Sequence, residues 1–302
     1  PCVIPYSRLI KERVYQGRGL PVTAGEELPV PRIKIDTGLH LYYETEGEGE
    51  AVILVQGLDR DHRGMALQMK ALAGRYQVVS YDARGLGQSD TPPGPYTCAQ
   101  LADDIRGLLK ALGIGKAHLI GASLGGHVVQ EFAINYPEMT GSIILMCTFA
   151  RASGEMLSTG RLFIDSIESR GHAYICEEMM RQAYSSAYLE NEKGRFDAAW
   201  EKLRETDATY NIRGFQWTAE AGLSADTRDR ISSIKTPALV MAGELDYLVP
   251  PSLCEEQLVK PISGSRLVVI KEAGHLFSDE KPEAVNREIL SFLSGIGQST
   301  LA

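Results

Sequence analysis

Short apolar runs separated by helical patterns constrain this chain more than any other feature. AVILV (51–55) and GSIILMC (141–147) are continuous rather than alternating. That pattern marks strands buried on both faces. YQVVSYD (76–82), KAHLIG (116–121), TPALVMAG (236–243) and SRLVVIKE (265–272) read as further strands. Between them lie helical segments at about 63–73, 97–113, 124–137, 251–262 and 282–296. Gly113 stops the second of these and Pro137 ends the third. RIKIDTGLHLYYETE (32–46) alternates and turns at Thr37-Gly38, which predicts a β-hairpin in front of the first buried strand. Strands that alternate with helices predict an α/β fold, a doubly wound and mostly parallel sheet with helices on both faces.

The alternation breaks once. Residues 150–230 show helical patterning and no strong strand, as in RLFIDSIES, YICEEMMRQAY, FDAAWEKLRETDATY and RGFQWTAEA. A helical cap (lid) of about eighty residues is therefore expected between two parts of one α/β core, 32–149 and 231–302. Its place is the C-terminal edge of the strands, where open α/β sheets bind ligands. Residues 1–31 hold five prolines and little periodicity, and read as an N-terminal arm.

Bulk properties narrow the partners. The 302 residues carry a formal charge of −8, which repels nucleic acid and anionic membrane surfaces. No run of eighteen apolar residues occurs, so no transmembrane helix is expected, and the first residues lack a long apolar signal core. A cytoplasmic location is the default expectation. The partner expected is a small-molecule substrate, with no nucleic acid and no membrane. The five cysteines are scattered and form no CxxC pair. A disulfide framework and a zinc site are therefore not expected, and Cys147 and Cys176 read as small buried apolar residues.

The stretch LIGASLGGHVV (119–129) puts one serine, Ser123, between a strand and a helix in the pattern G-x-S-x-G. A sharp strand-to-helix turn lifts such a serine above the sheet edge, and Gly121 and Gly125 supply the small flanking positions the turn demands. The helix that starts at 124 points its first N–H groups toward the same place. A phosphate loop would need Gly-Lys-Ser/Thr, and no lysine lies between Lys116 and Lys193. A glycine-rich turn with an incidental serine is the rival reading.

A serine nucleophile needs a base, and the base an orienting acid, in the chain order Ser…Asp/Glu…His. Glu244-Leu245-Asp246 follows the strand ALVMAG, and His275 follows the strand RLVVI. Both strand ends lie on the edge that carries Ser123. Asp246 is the expected acid, Glu244 the second choice, and His275 the expected base. The oxyanion donors expected are the backbone N–H groups of Leu124, next to the nucleophile, and of Leu58 in QGLDRDH.

QGLDRDH, YDARGLGQSD, GASLGG, GELD and AGHLF, in this order over about residues 32–296, resemble the α/β-hydrolase fold superfamily. The resemblance is to capped serine hydrolases: esterases, enol-lactonases and carbon–carbon bond hydrolases. It implies a cofactor-independent hydrolase of small, partly hydrophobic esters or lactones, acting without metal through an acyl-enzyme on Ser123. Carbon–carbon hydrolysis or cofactor-free perhydrolysis on the same triad is one alternative, and a ligand-binding receptor with a vestigial triad is another. Many relatives carry His-Gly in the oxyanion loop where this chain has Gln56-Gly57. Gln56 is expected to support the loop by a side-chain hydrogen bond.

His127 lies four residues after Ser123 and reads as a core position. Asp82 and Arg84 resemble the family's structural loop and are expected to form an ion pair bracing the floor of the site. Phe215 and Trp217 in the cap, and His62 after the oxyanion loop, are expected to touch substrate.

Overall fold

A computed structural model describes residues 31–206 and 210–299. The arm expected over residues 1–31 lies, but for its last residue, outside them. Among the described residues the strands are β1 (Arg32–Lys34), β2 (His40–Glu46), β3 (Ala51–Val55), β4 (Gln77–Tyr81), β5 (Ala117–Ala122), β6 (Thr140–Met146), β7 (Ala238–Gly243) and β8 (Arg266–Ile270). They form one sheet in the order β1-β2-β4-β3-β5-β6-β7-β8. β1 and β2 form the expected antiparallel hairpin, β2 pairs antiparallel with β4, and every later pairing is parallel.

Helices interleave with the strands: α1 (Ala66–Leu72), α2 (Cys98–Ala111), α3 (Leu124–Asn135), then after β6 α4 (Gly154–Arg170), α5 (His172–Ala183), α6 (Ser186–Asn191), α7 (Lys193–Thr206) and α8 (Ile212–Leu223). After β7 come α9 (Pro251–Cys254), α10 (Phe277–Glu280) and α11 (Pro282–Ser299). Local chemistry sets several ends. Thr97 and Gln100 close a reciprocal capping box at the start of α2, and Gly113, at φ +72°, ends the turn behind it. The helix expected over 251–262 is broken: α9 gives way to a single π-helical turn over Glu255–Val259.

All five residues of β3 are buried, as their continuous apolar pattern demands. Its side chains feed two cores, one on each face of the sheet. Ile53 packs with Ile105 and Leu108 of α2 and Phe132 of α3. Val52 and Leu54 pack with Leu72 of α1 and Ile289 of α11. The fold is thus doubly wound, as the strand–helix alternation predicts.

Helices α4 to α8 form a block between β6 and β7. Its two ends meet: Arg151 and Asp226 form an isolated β-bridge, and Thr227 N–H donates to Ala150 C=O at 3.1 Å. The block has two small cores of its own, one around Ile167, Ile175 and Phe215, the other around Met180, Phe196 and Trp200. Short α6 had no visible signal in the sequence. No helix among the described residues is long and apolar enough to cross a membrane.

Two expectations need correction. Asp82 and Arg84 do not pair. Asp82 accepts from His62 N–H, His62 Nδ1 and Gln88 N–H, each at 2.7 Å, while Arg84 reaches sideways to Asp104 on α2 at 2.5 and 2.6 Å. Asp82 directly follows β4, whereas Arg84 lies in the turn beyond it, so the two side chains meet different surroundings. Cys98, Cys147 and Cys254 are free and buried, but Cys176 is disulfide-bonded. Spacing along the chain carries no signal for a pairing made by the fold.

Candidate active site

Ser123 sits between β5 and α3 at φ 52°, ψ −116°, a strained backbone for a residue with a side chain. The cost, about 1–3 kcal/mol for such a conformation, is met by close packing. A Cβ on Gly121 would lie 2.3 Å from Gly125 C=O, and one on Gly125 would lie 2.1 Å from Val55 C=O. Strand, turn and helix therefore approach at distances that only glycine permits. Ser123 N–H donates to Met146 C=O at 2.9 Å, which fixes the elbow against the end of β6.

His275 and Asp246 leave the ends of β8 and β7. Asp246 Oδ2 lies 2.8 Å from His275 Nδ1, and Asp246 Oδ1 accepts from Leu248 and Val249 N–H at 3.0 and 2.9 Å. A buried carboxylate with these partners takes the Nδ1 proton as its donor, which leaves Nε2 as the basic nitrogen. Burial pushes the His275 imidazole down, while Cys147 and Asp246 beside it push it up, and the net direction is well above the ordinary value. Glu244, the second choice for the acid, is turned away. It accepts from Lys271 Nζ at 2.6 Å and Glu272 N–H at 3.0 Å.

Ser123 and His275 line one cavity of about 680 Å³. Its walls come from the strand ends and from α4 and α5, and most are apolar: Phe149, Met156, Phe163, Met179 and Leu253 among them. Leu58 borders the cavity next to Gly57, where a Cβ would lie 3.3 Å from Ala122 C=O and 3.5 Å from Ser123 Cβ. Neither Leu58 N–H nor Leu124 N–H donates to another described residue. Gln56 does brace its loop, donating from Nε2 to Ser80 Oγ at 3.2 Å.

The three side chains expected to meet substrate do not line the cavity. Phe215 is fully buried in the core of the helical block. Trp217 packs on Tyr96 with ring centroids 5.5 Å apart and covers Gly94. His62 is buried on Asp82. Aromatic residues on the apolar stripe of a helix turn to the core it packs against, as Phe215 does here. His127 is buried edge-on to Phe149, with ring centroids 4.6 Å apart.

Among the described residues, two clusters bring three ligand-type groups together, Asp59/His172/Cys176 and Asp61/His62/Asp82. Their groups are already committed. His172 Nε2 lies 2.8 Å from Asp59 Oδ2, Cys176 is in a disulfide, Asp61 pairs with Arg63, and Asp82 holds His62. Neither offers an open set for a metal.

A strained serine turn after β5, an aspartate after β7 and a histidine after β8 occur here on a 1-2-4-3-5-6-7-8 sheet. Residues 50–282 match the family model described as the alpha/beta hydrolase fold. The chain belongs to the α/β-hydrolase family. This hydrolase is 30% identical over 266 residues to RutD of Caulobacter sp. (strain K31), a protein named for carbamate hydrolysis, covering 84% of this chain and 96% of RutD. It is 30% identical over 255 residues to 3-oxoadipate enol-lactonase 2 of Acinetobacter baylyi, covering 82% of this chain and 91% of that one. Among solved structures it resembles a thermophilic esterase from Thermogutta terrifontis, with a TM-score of 0.78 and 31% identity, covering 88% of this chain and 98% of the esterase.

Proposed function

We propose that this hydrolase cleaves a small ester or lactone with a largely apolar acyl part, through an acyl-enzyme on Ser123. The observation that carries the reading is the convergence of Ser123 and an Asp246-oriented His275 on one apolar cavity. In the first step Ser123 Oγ attacks the substrate carbonyl while His275 Nε2 takes its proton. The charge on the carbonyl oxygen falls to the N–H groups of Leu58 and Leu124, which have no other acceptor among the described residues. The protonated imidazole, held by Asp246, gives its proton to the leaving oxygen. Water then repeats the sequence on the acyl-serine, and the acid leaves. No step draws on a cofactor.

The helical block acts in this reading as a lid. It supplies the methionine-rich wall of the cavity, where flexible apolar side chains fit acyl groups of varied shape. Esterase and enol-lactonase names among the similar proteins support the same substrate class. The test is product analysis with esters and lactones of graded acyl length, alongside a ring-cleavage dione. Free acid and alcohol from the esters or lactones are expected. Turnover of the dione alone, with no ester or lactone cleaved, would transfer the triad to carbon–carbon hydrolysis.

A further inference from the structure

The loop that carries His275 is held from the lid side as well as from the core. Glu280, on α10, sends its carboxylate back over this loop. Oε1 accepts from Gly274 N–H at 2.9 Å and from Ser185 N–H at 3.0 Å, and Oε2 accepts from Ser185 Oγ at 2.5 Å. Gly274 immediately precedes His275, and Ser185 lies in the turn between α5 and α6. On the other flank of His275, Leu276 N–H donates to Ala183 C=O at 3.0 Å. Both neighbours of the histidine are thus tied to one three-residue turn of the lid.

Glycine at 274 reports how close that turn lies. A Cβ there would sit 2.8 Å from Ala183 C=O and 2.9 Å from Ser185 N–H. Behind it, a Cβ on Gly243 would lie 2.0 Å from Gly274 C=O. The end of β7, the histidine loop and the lid turn therefore stack backbone on backbone, with no side chain between them. The neighbouring Asp279 ties the same turn to the oxyanion loop: Tyr184 OH donates to Asp279 Oδ2 at 2.7 Å, and Arg60 Nη2 donates to it at 2.9 Å. Arg60 lies two residues beyond Leu58.

We propose that Glu280 is a positioning residue that registers the lid turn 183–185 against His275, so that the lid holds the base as well as covering the substrate. The proposal rests on the reading of His275 as the general base of Ser123. Glu280 touches no substrate and transfers no proton. It fixes the loop from which His275 reaches Ser123, and a displacement of that loop by about 1 Å is enough to cost on the order of 10²-fold in rate.

The experiment compares Glu280→Ala with Glu280→Gln. Glutamine keeps the shape: its Oε1 can accept from both amides, and its NH2 can donate to Ser185 Oγ. Alanine removes all three bonds. The readouts are the second-order rate of Ser123 labelling by a small fluorophosphonate, and kcat and KM for a short-chain p-nitrophenyl ester, on protein shown to be folded by circular dichroism. Glu280→Ala is expected to slow labelling and lower kcat by about 10- to 100-fold with KM little changed. Glu280→Gln is expected to stay within about 3-fold of wild type. If Glu280→Ala does not fold, Gly274→Ala takes its place, since its methyl pushes the turn away while leaving the carboxylate intact, and the same loss is expected. A folded Glu280→Ala or Gly274→Ala labelled at the wild-type rate overturns the proposal, as does a loss in Glu280→Gln equal to that in Glu280→Ala. A wild type that the probe leaves unlabelled overturns the reading of Ser123, and this proposal with it.

Discussion

At the residue scale, the site depends on what surrounds His275. The sequence reads Cys147 as a small buried apolar residue. It is buried and free, but it adopts φ 43° at the end of β6, borders the cavity and bears on the histidine. Nothing in GSIILMCTF signals a left-handed cysteine, because the turn after β6 is set by the strand's place in the sheet. The consequence is a pH dependence. In the proposed mechanism His275 acts as a base only when neutral, so kcat/KM should rise with pH through a pKa above the ordinary histidine value of 6.5. Cys147→Ala removes one of the groups that hold the proton on His275. Its pH–rate profile should shift its acid limb to lower pH, and an unshifted limb would show that Cys147 does not act on the base.

At the element scale, the turn at Ser123 and the placement of Asp246 and His275 after β7 and β8 are the most legible parts. Strand, turn and helix around Ser123 each have a local signature, and Asp246 and His275 follow strands whose apolar runs stand out. What escaped was how side chains are shared between elements. Arg84 chose Asp104 on α2 over Asp82, and Phe215 and Trp217 turned into packing rather than toward the cavity. Short α10 also escaped, because four residues are too few for a periodic pattern. Gly125 tests the geometry of the elbow. Gly125→Ala would place a methyl 2.1 Å from Val55 C=O and 2.6 Å from Gln56 C=O. The clash falls on rigid backbone that leads into the Leu58 loop. Urea denaturation should show a loss of about 1–3 kcal/mol, and ester turnover should fall with it. Unchanged stability and turnover would mean that strand and helix are not locked at this spacing.

At the scale of the whole molecule, the doubly wound sheet brings the ends of β5, β7 and β8 to one edge, and the block inserted between β6 and β7 closes over it. The alternation and its single interruption were both visible in the sequence. The depth of the helical block's contact with the histidine loop was not, because backbone stacking at Gly274 leaves no pattern in side chains. The packed core also sets an acid limit on stability. His127 on α3 is buried, its Nδ1 has no hydrogen-bond partner among the described residues, and burial lowers its pKa from 6.5 to about 4. Between these values the unfolded chain binds a proton that the folded chain refuses, so stability falls as pH drops from 6.5 toward 4. That amounts to roughly 2 kcal/mol between pH 7.5 and 5. His127→Leu removes the titration, and its urea midpoint should fall less over that interval than that of the wild type. An equal fall in both proteins would place the acid sensitivity elsewhere.

The central claim is that the acyl group of the substrate passes through Ser123. Peptide mass spectrometry of the hydrolase quenched in acid during turnover of a short-chain ester tests it most directly. The predicted result is the acyl mass on the peptide that contains Ser123, with Ser123→Ala folded, unmodified and reduced to background turnover. A folded Ser123→Ala that hydrolyses the ester at the wild-type rate would contradict the claim.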